Sequence, residues 1–183
     1  MIRRSVGNVI SVVVTFTKFC IMKIVLGGGF HFFPIERFSP DVVTEFNRGS
    51  KVSLGKEVRV HSGSIIKVRS NAELLIGAGT KINYNCIIVC RSKISIGEGT
   101  EFGPSVYVYD HDHDFRVGLK KGQMTNDSIK IGENCWIGAN TIILKGTTIG
   151  ANSVVGAGCV IKGYYPANSV ITQKRDTVIR DIC

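Results

Sequence analysis

At 183 residues, with 44 % hydrophobic and 20 % charged side chains, the chain has the size of one domain and enough apolar material for a packed core, which excludes wholesale disorder. Twenty-one glycines against four prolines mark a chain full of tight turns rather than a helical bundle. Lys and Arg outnumber Asp and Glu by nine, 23 against 14, but they are scattered and no groove-reading motif appears, so phosphorylated cofactors and anionic membranes stand ahead of nucleic acid as partners.

The first element is apolar. From Ser5 to Leu26 the chain reads SVGNVISVVVTFTKFCIMKIVL, preceded by Arg3 and Arg4 and free of acidic residues. TFTKFC offers no small-x-small cleavage site, which argues against a signal peptide. Lys18 and Lys23 interrupt the run, so the clean stretch of about 20 apolar residues needed by a spanning helix is missing. Two readings stay open for residues 1–26: a helix or strand packed on the domain or on a neighbouring subunit, or an in-plane membrane anchor held by apolar burial and basic side chains.

Residues 41–75 read as irregular opening coils, with one weak hexad at Leu54-Gly55. A regular pattern follows at Ile76, Ile82 and Ile88, then at Ile96, Phe102 and Val108, and finally without a break at Ile131, Ile137, Ile143, Ile149, Val155 and Ile161. In the last run Gly132, Gly138, Gly150 and Gly156 follow the aliphatic directly, and Cys135, Thr141, Thr147, Ser153 and Cys159 stand four residues after it. A period of six fits neither a helix of 3.6 residues per turn nor a strand that alternates every two. It fits a short strand and a corner, repeated three times per coil. The aliphatic points inward and stacks on its equivalent about 18 residues away. Glycine takes the corner, where a Cβ would clash or positive φ is needed. This is the hexapeptide pattern of a parallel β-helix. The six cysteines show no CxxC and no paired histidine, and Cys135 and Cys159 fill small inward positions, so they read as reduced core thiols.

The hexads stop between Val108 and Ile129, where YDHDHDFRVGLKKGQMTNDS forms a polar loop at about 112–128. Loops ejected from a rigid scaffold commonly carry function. Two of only four histidines, His111 and His113, lie here among Asp110, Asp112 and Asp114. Histidine is the natural base for taking a hydroxyl proton, and a flanking aspartate can hold its tautomer. Alternating Asp and His also suit a metal, but only His31 and His61 remain to complete a histidine set, both far upstream, so no metal site is expected.

These hexads, together with Asn83-Tyr84-Asn85, Cys135-Trp136-Ile137-Gly138-Ala139 and Gly156-Ala157-Gly158, resemble the left-handed β-helix acyltransferases over about residues 50–171. That hexapeptide-repeat family includes galactoside, maltose and capsule O-acetyltransferases. The resemblance implies an all-β fold: a left-handed parallel β-helix over 41–171 with one protruding loop, behind an apolar helical or extended segment over 1–40 and ahead of a tail over 172–183. It implies acetyl-CoA as co-substrate, a saccharide hydroxyl as acceptor in cell-envelope polysaccharide synthesis, and a homotrimer with active sites between subunits. The reduced cysteines point to a reducing compartment, so a cytoplasmic protein is expected, at the inner face of the membrane if residues 1–26 form the anchor.

Residue by residue, His111 follows the coil as the family's T-x-x-H-P histidine follows its own and is the expected general base. Asp112 replaces the usual proline, which keeps His113 as second candidate, with Asp110 and Asp114 flanking the pair. Asn83, Tyr84 and Asn85 match the family's A-N-F-N acceptor segment. Arg91 stands near the place of an acidic acceptor contact and points to an anionic sugar. Trp136 and Ala139 match the VWIG segment bordering the pantetheine arm. Gly156, Ala157 and Gly158 match a GAG turn that leaves backbone amides open to that arm, and Lys145 and Lys162 are expected to attract coenzyme phosphates. The alternatives are an N-acyltransferase on an amino sugar, a serine O-acetyltransferase, a protein like the γ-carbonic anhydrases, and a non-catalytic scaffold.

Overall fold

A computed structural model describes residues 2–117, 122–174 and 176–180, with the side chains of residues 2–6 and of Val117 outside the described set. Three parallel sheets of seven, seven and six strands are visited in strict rotation, so the chain winds as a three-sided solenoid. The all-β class, the protruding loop and the N-terminal element appear as the repeats imply. Each side buries its aliphatic: Ile76, Ile82, Ile88, Ile131, Ile137, Ile143, Ile149, Val155 and Ile161 are all within 2 % of complete burial. The small residues four positions later also point inward, Thr141, Thr147 and Ser153 being fully buried.

Coil length departs from the expected 18 residues. Phe30 pairs with Val52 and Val52 with Leu74, steps of twenty-two, and Leu74 with Ile94, a step of twenty. Only beyond the loop does the step become eighteen, from Lys130 to Thr148. The early coils carry four-residue strands such as Lys51–Leu54 and Ile65–Val68, in which two residues instead of one point inward. Residues 41–75 are therefore regular coils with longer sides, and the solenoid begins at Phe30 rather than at 41. The extra residues hid the period.

The two demands on the corners fall on different residues. The glycine directly after the inward aliphatic is required by contact between coils: a Cβ on Gly132 would lie 2.4 Å from the Ala151 nitrogen. Positive φ falls two residues later, on Gly79 and Gly99 but equally on Asn134, Asn140 and Asn152. Asparagine tolerates that region better than other side chains with a Cβ.

The N-terminal run is a helix, Ile2–Leu26, lying over the open end of the solenoid. Phe19 is fully buried and meets Phe30 and Phe38 edge-on at 5.2 and 5.0 Å. Thr15 is buried beside it, its hydroxyl donating to the Phe38 carbonyl at 3.1 Å and accepting from the Phe38 amide at 3.0 Å. Lys18 donates to the Val42 carbonyl at 2.9 Å and Lys23 to that of Phe30, so the two interrupting lysines tie the helix to the first coil. By length and composition the stretch Gly7–Gly29, with mean hydropathy 2.1, is long and apolar enough to cross a membrane despite those lysines. Packing of Thr15 and Phe19 nevertheless holds the helix against the protein.

Beneath the helix, Glu36 occupies the inward column that Val58 fills in the next coil. Both its carboxylate oxygens are buried without a well-formed hydrogen bond. Burial pushes the carboxyl up to about 7, opposed by the nearby Val58 and Phe33 backbone and reinforced by Glu57. A folded-state pKa above the unfolded one means that the native state binds the extra proton, so this group destabilises the fold as pH rises through the window from 4.5 to about 7. The expected loss across that window is up to about 3 kcal/mol. Urea denaturation at both ends of the window checks this: Glu36→Gln should remove that part of the pH dependence and be the more stable protein on the alkaline side. An unchanged profile in the variant would assign the effect elsewhere.

Candidate functional site

The strand Tyr107–Tyr109 ends at the edge between the third and first faces, and there the chain leaves the solenoid. Asp110 is the last buried residue before the excursion, fully enclosed. Its carboxylate accepts the Arg91 amide at 2.8 and 3.0 Å and the Ser92 amide at 2.7 Å, both from the preceding coil. The same carboxylate oxygen, Oδ1, lies 3.1 Å from Nδ1 of His111. An ionised Asp110 accepts only, so His111 Nδ1 carries the proton toward it and Nε2 keeps the free lone pair. His111 is 15 % exposed at its side chain, which orders the ring without sealing it.

His111 opens a two-stranded antiparallel hairpin, His111–His113 with Met124–Asn126, so the expected loop is in part a hairpin. Residues 118–121 lie outside the described residues. One face of the hairpin forms a cleft of about 250 Å³ with Tyr109, Leu144, Lys145 and Lys162. Lys145 and Lys162 end the third-face strands of the next two coils, which stacks them along the same edge as His111. The Lys145 ammonium also donates to the Thr125 hydroxyl of the hairpin and fastens it to the solenoid. Tyr109 meets His111 edge-on at 6.0 Å and was not singled out by sequence. Its only signal was an outward position directly before the loop.

His113 also lines the cleft but is exposed, and its backbone amide donates to Asp112. Asp114 serves neither histidine. It pairs with Arg116, whose Nε and Nη2 donate at 2.9 and 3.0 Å, and this holds its carboxyl below the usual range. Of the two flanking aspartates, Asp110 alone orients the ring.

The remaining sequence candidates lie on the other edge of the third face. Asn83, Tyr84 and Asn85 form the corner before Ile87–Cys90, with Asn85 at φ 57 and Tyr84 half exposed over His61, ring centroids 4.8 Å apart. Ala139 and Gly156-Ala157-Gly158 form the same corner further along. Trp136, 46 % exposed, lies on the second face just before it. The amides of Gly156 and Gly158 already donate to Ile171 and Ala139 at 2.8 and 2.7 Å, so they are not open as the GAG turn suggested. Within one chain, then, Arg91, His111, Lys145 and Lys162 share one edge, and the Asn83–Asn85 and Trp136–Gly158 groups share another. Among the described residues no three potential metal ligands cluster.

Residues 128–163 match the family model described as bacterial transferase hexapeptide (six repeats). Over that stretch the chain carries the hexapeptide repeat that this model describes. It is 38 % identical to a galactoside O-acetyltransferase of Lactococcus lactis, over 51 % of this chain and 46 % of that one. It is 35 % identical to nodulation protein L of Rhizobium leguminosarum, over 62 % of this chain and 63 % of that one. The hexapeptide-repeat chain thus spans about half to two-thirds of the length of these relatives. Among solved structures, an N-acyltransferase from Bacillus cereus in complex with dTDP and 3-hydroxybutyryl-CoA superposes with TM-score 0.71 at 18 % identity, covering 85 % of this chain and 83 % of that one. A hexapeptide-repeat acetyltransferase from Vibrio cholerae complexed with acetyl-CoA gives 0.57 at 23 %, covering 86 % and 72 %. These two likenesses show the shared fold.

Proposed function

We propose that the protein is an acyl-CoA-dependent acetyltransferase that moves an acetyl group from acetyl-CoA to a saccharide hydroxyl in cell-envelope glycan synthesis. The observation that carries this reading is the imidazole of His111, held by buried Asp110 and facing a cleft flanked by two lysines. In the reaction His111 Nε2 takes the hydroxyl proton as the oxygen attacks the thioester carbonyl. The carbon–oxygen bond forms, the carbon–sulfur bond breaks, and the proton passes to the departing thiolate. A main-chain amide stabilises the tetrahedral oxyanion between the two steps. Lys162 and Lys145 attract the phosphates of the coenzyme, and Arg91 suits an anionic sugar. The galactoside O-acetyltransferase relatives favour oxygen as acceptor. The N-acyltransferase likenesses supply the second reading, an amino-sugar acceptor.

The working unit in this proposal is a homotrimer. Across the third face between the two edges, Val43, Ile65, Ile87, Tyr107, Ile142 and Val160 form one outward column in continuous register. A neighbouring chain packed on that apolar column brings its Asn83–Asn85 or Trp136–Gly158 edge to the His111 edge, joining groups that one chain keeps apart. We place the assembly in the cytoplasm, at the inner face of the membrane, where the exposed apolar face of the N-terminal helix finds a lipid surface. Calorimetric titration with coenzyme A tests the central claim. One site per chain with roughly micromolar affinity is expected, followed by acetyl transfer to sugars but not to amino sugars. Absence of coenzyme binding would leave a scaffold, and transfer to the amine alone would decide for the N-acyl reading.

A further inference from the structure

Arg37 and Arg59 occupy equivalent outward positions on adjacent coils of the second face, with Lys81 next in the same register. Like charges directly opposite one another destabilise a sheet. Glu101 answers Lys81 at 2.5 Å, yet neither guanidinium forms a salt bridge among the described residues. Glu57 lies near Arg37 without closing a pair, and Nε of Arg37 is buried with no hydrogen-bond partner. Together with Asn8 and Ser11 from the helix, these cations line a cleft of about 350 Å³.

Arg37 also lines a second cavity of about 400 Å³, whose walls are Val9, Val12 and Val13 of the helix and Ile35, with Asn8 and Glu57 as its other polar members. From there the outer face of the helix is strongly apolar, with Ile10, Val13, Ile21 and Ile24 between 50 and 83 % exposed. No acidic residue occurs anywhere in the helix. A cationic cleft and an apolar groove thus meet at one arginine.

We propose that this junction is a binding site for a lipid with a phosphate headgroup, the phosphate between Arg37 and Arg59 and the acyl chains along Val9 and Val13. The proposal rests on the membrane placement above and adds to it a specific headgroup site. A second copy of the chain on this face would bring the same uncompensated guanidinium groups to the contact, whereas a phosphate neutralises them and accepts from the orphaned Nε. Bound lipid also relieves the repulsion between stacked arginines, so occupancy stabilises the first coils.

Sedimentation of the full chain with phosphatidylcholine vesicles, with and without phosphatidylglycerol, tests this. Binding is expected with the anionic lipid and should fall at high salt. The double variant Arg37→Gln, Arg59→Gln should weaken it roughly tenfold or more while its melting temperature stays at or above that of the parent. Val13→Asp, on the exposed face, should abolish binding to the anionic vesicles with the fold retained. Undiminished anionic binding by the arginine variant overturns the headgroup site and leaves the membrane placement standing. Failure of the parent protein to bind either vesicle overturns both. Arginine-dependent binding of inorganic phosphate without vesicle binding overturns the lipid in favour of a soluble phosphate ligand.

Discussion

Replacing His111 with alanine should lower acetyl transfer by a factor on the order of 10²–10⁴, the range typical for loss of a positioned general base. Coenzyme A binding should stay close to that of the parent, because the proposed role of His111 is to accept a proton, while Lys145 and Lys162, the proposed partners of the coenzyme phosphates, remain in place. The variant should fold: the ring is partly exposed and its one hydrogen bond runs to a carboxylate that keeps three backbone contacts. His113→Ala is the matched control, since His113 lines the same cleft but is exposed, whereas the His111 ring is held by buried Asp110. It should retain activity within about tenfold. Steady-state kinetics on both variants, with calorimetry for the coenzyme, separate the roles. If His113→Ala loses the reaction and His111→Ala keeps it, the base is His113 and Asp110 serves the fold alone.

Much of this architecture was legible in the sequence because each short side of the solenoid buries one aliphatic and one small residue. From Ile131 to Ile161 nothing else is inserted, and the period of six stands bare. In the earlier coils a second inward residue, as in Lys51–Leu54 and Ile65–Val68, lengthens the sides and blurs it. Those coils follow the same physics with a different count. The site was legible in its residues but not in its grouping. Asp110 and Asp114 flank the histidines alike in sequence, and only burial distinguishes the one that accepts the Arg91 and Ser92 amides from the one that meets Arg116. Likewise, Asn83 and Trp136 carry local signals of ligand contact, but a linear pattern does not say on which edge of a three-sided prism a corner falls. The helix was ambiguous for a related reason. Its composition suits lipid and core equally, and Phe19 and Thr15 reveal the packed face only once the first coil is in place.

Asp110→Asn is the sharper probe of the same chemistry, since it changes charge and donor pattern at nearly constant shape. Oδ1 of Asp110 accepts from Arg91 and contacts His111, while Oδ2 accepts from Arg91 and Ser92. Asparagine has one oxygen and one amino group for these two places. With the amino group toward Ser92, it opposes a backbone N–H that it cannot accept, leaving a buried donor unsatisfied at a cost of about 1–3 kcal/mol. With the amino group toward His111, it donates to Nδ1 and drives the ring proton to Nε2, the nitrogen that must take up the substrate proton. The second arrangement keeps both backbone amides bonded to oxygen and is the expected one. The ring then sits in place with the wrong tautomer, so transfer should fall by about 10²–10⁴-fold while the Michaelis constant for the acceptor changes little. Nitrogen NMR of the imidazole should show the proton moved from Nδ1 to Nε2. The double variant with His111→Ala should be hardly slower than either single one, because the two residues act through one proton transfer. Additive losses, or an unchanged tautomer with activity retained, would make Asp110 a clamp for the Arg91–Ser92 turn rather than the group that positions the base.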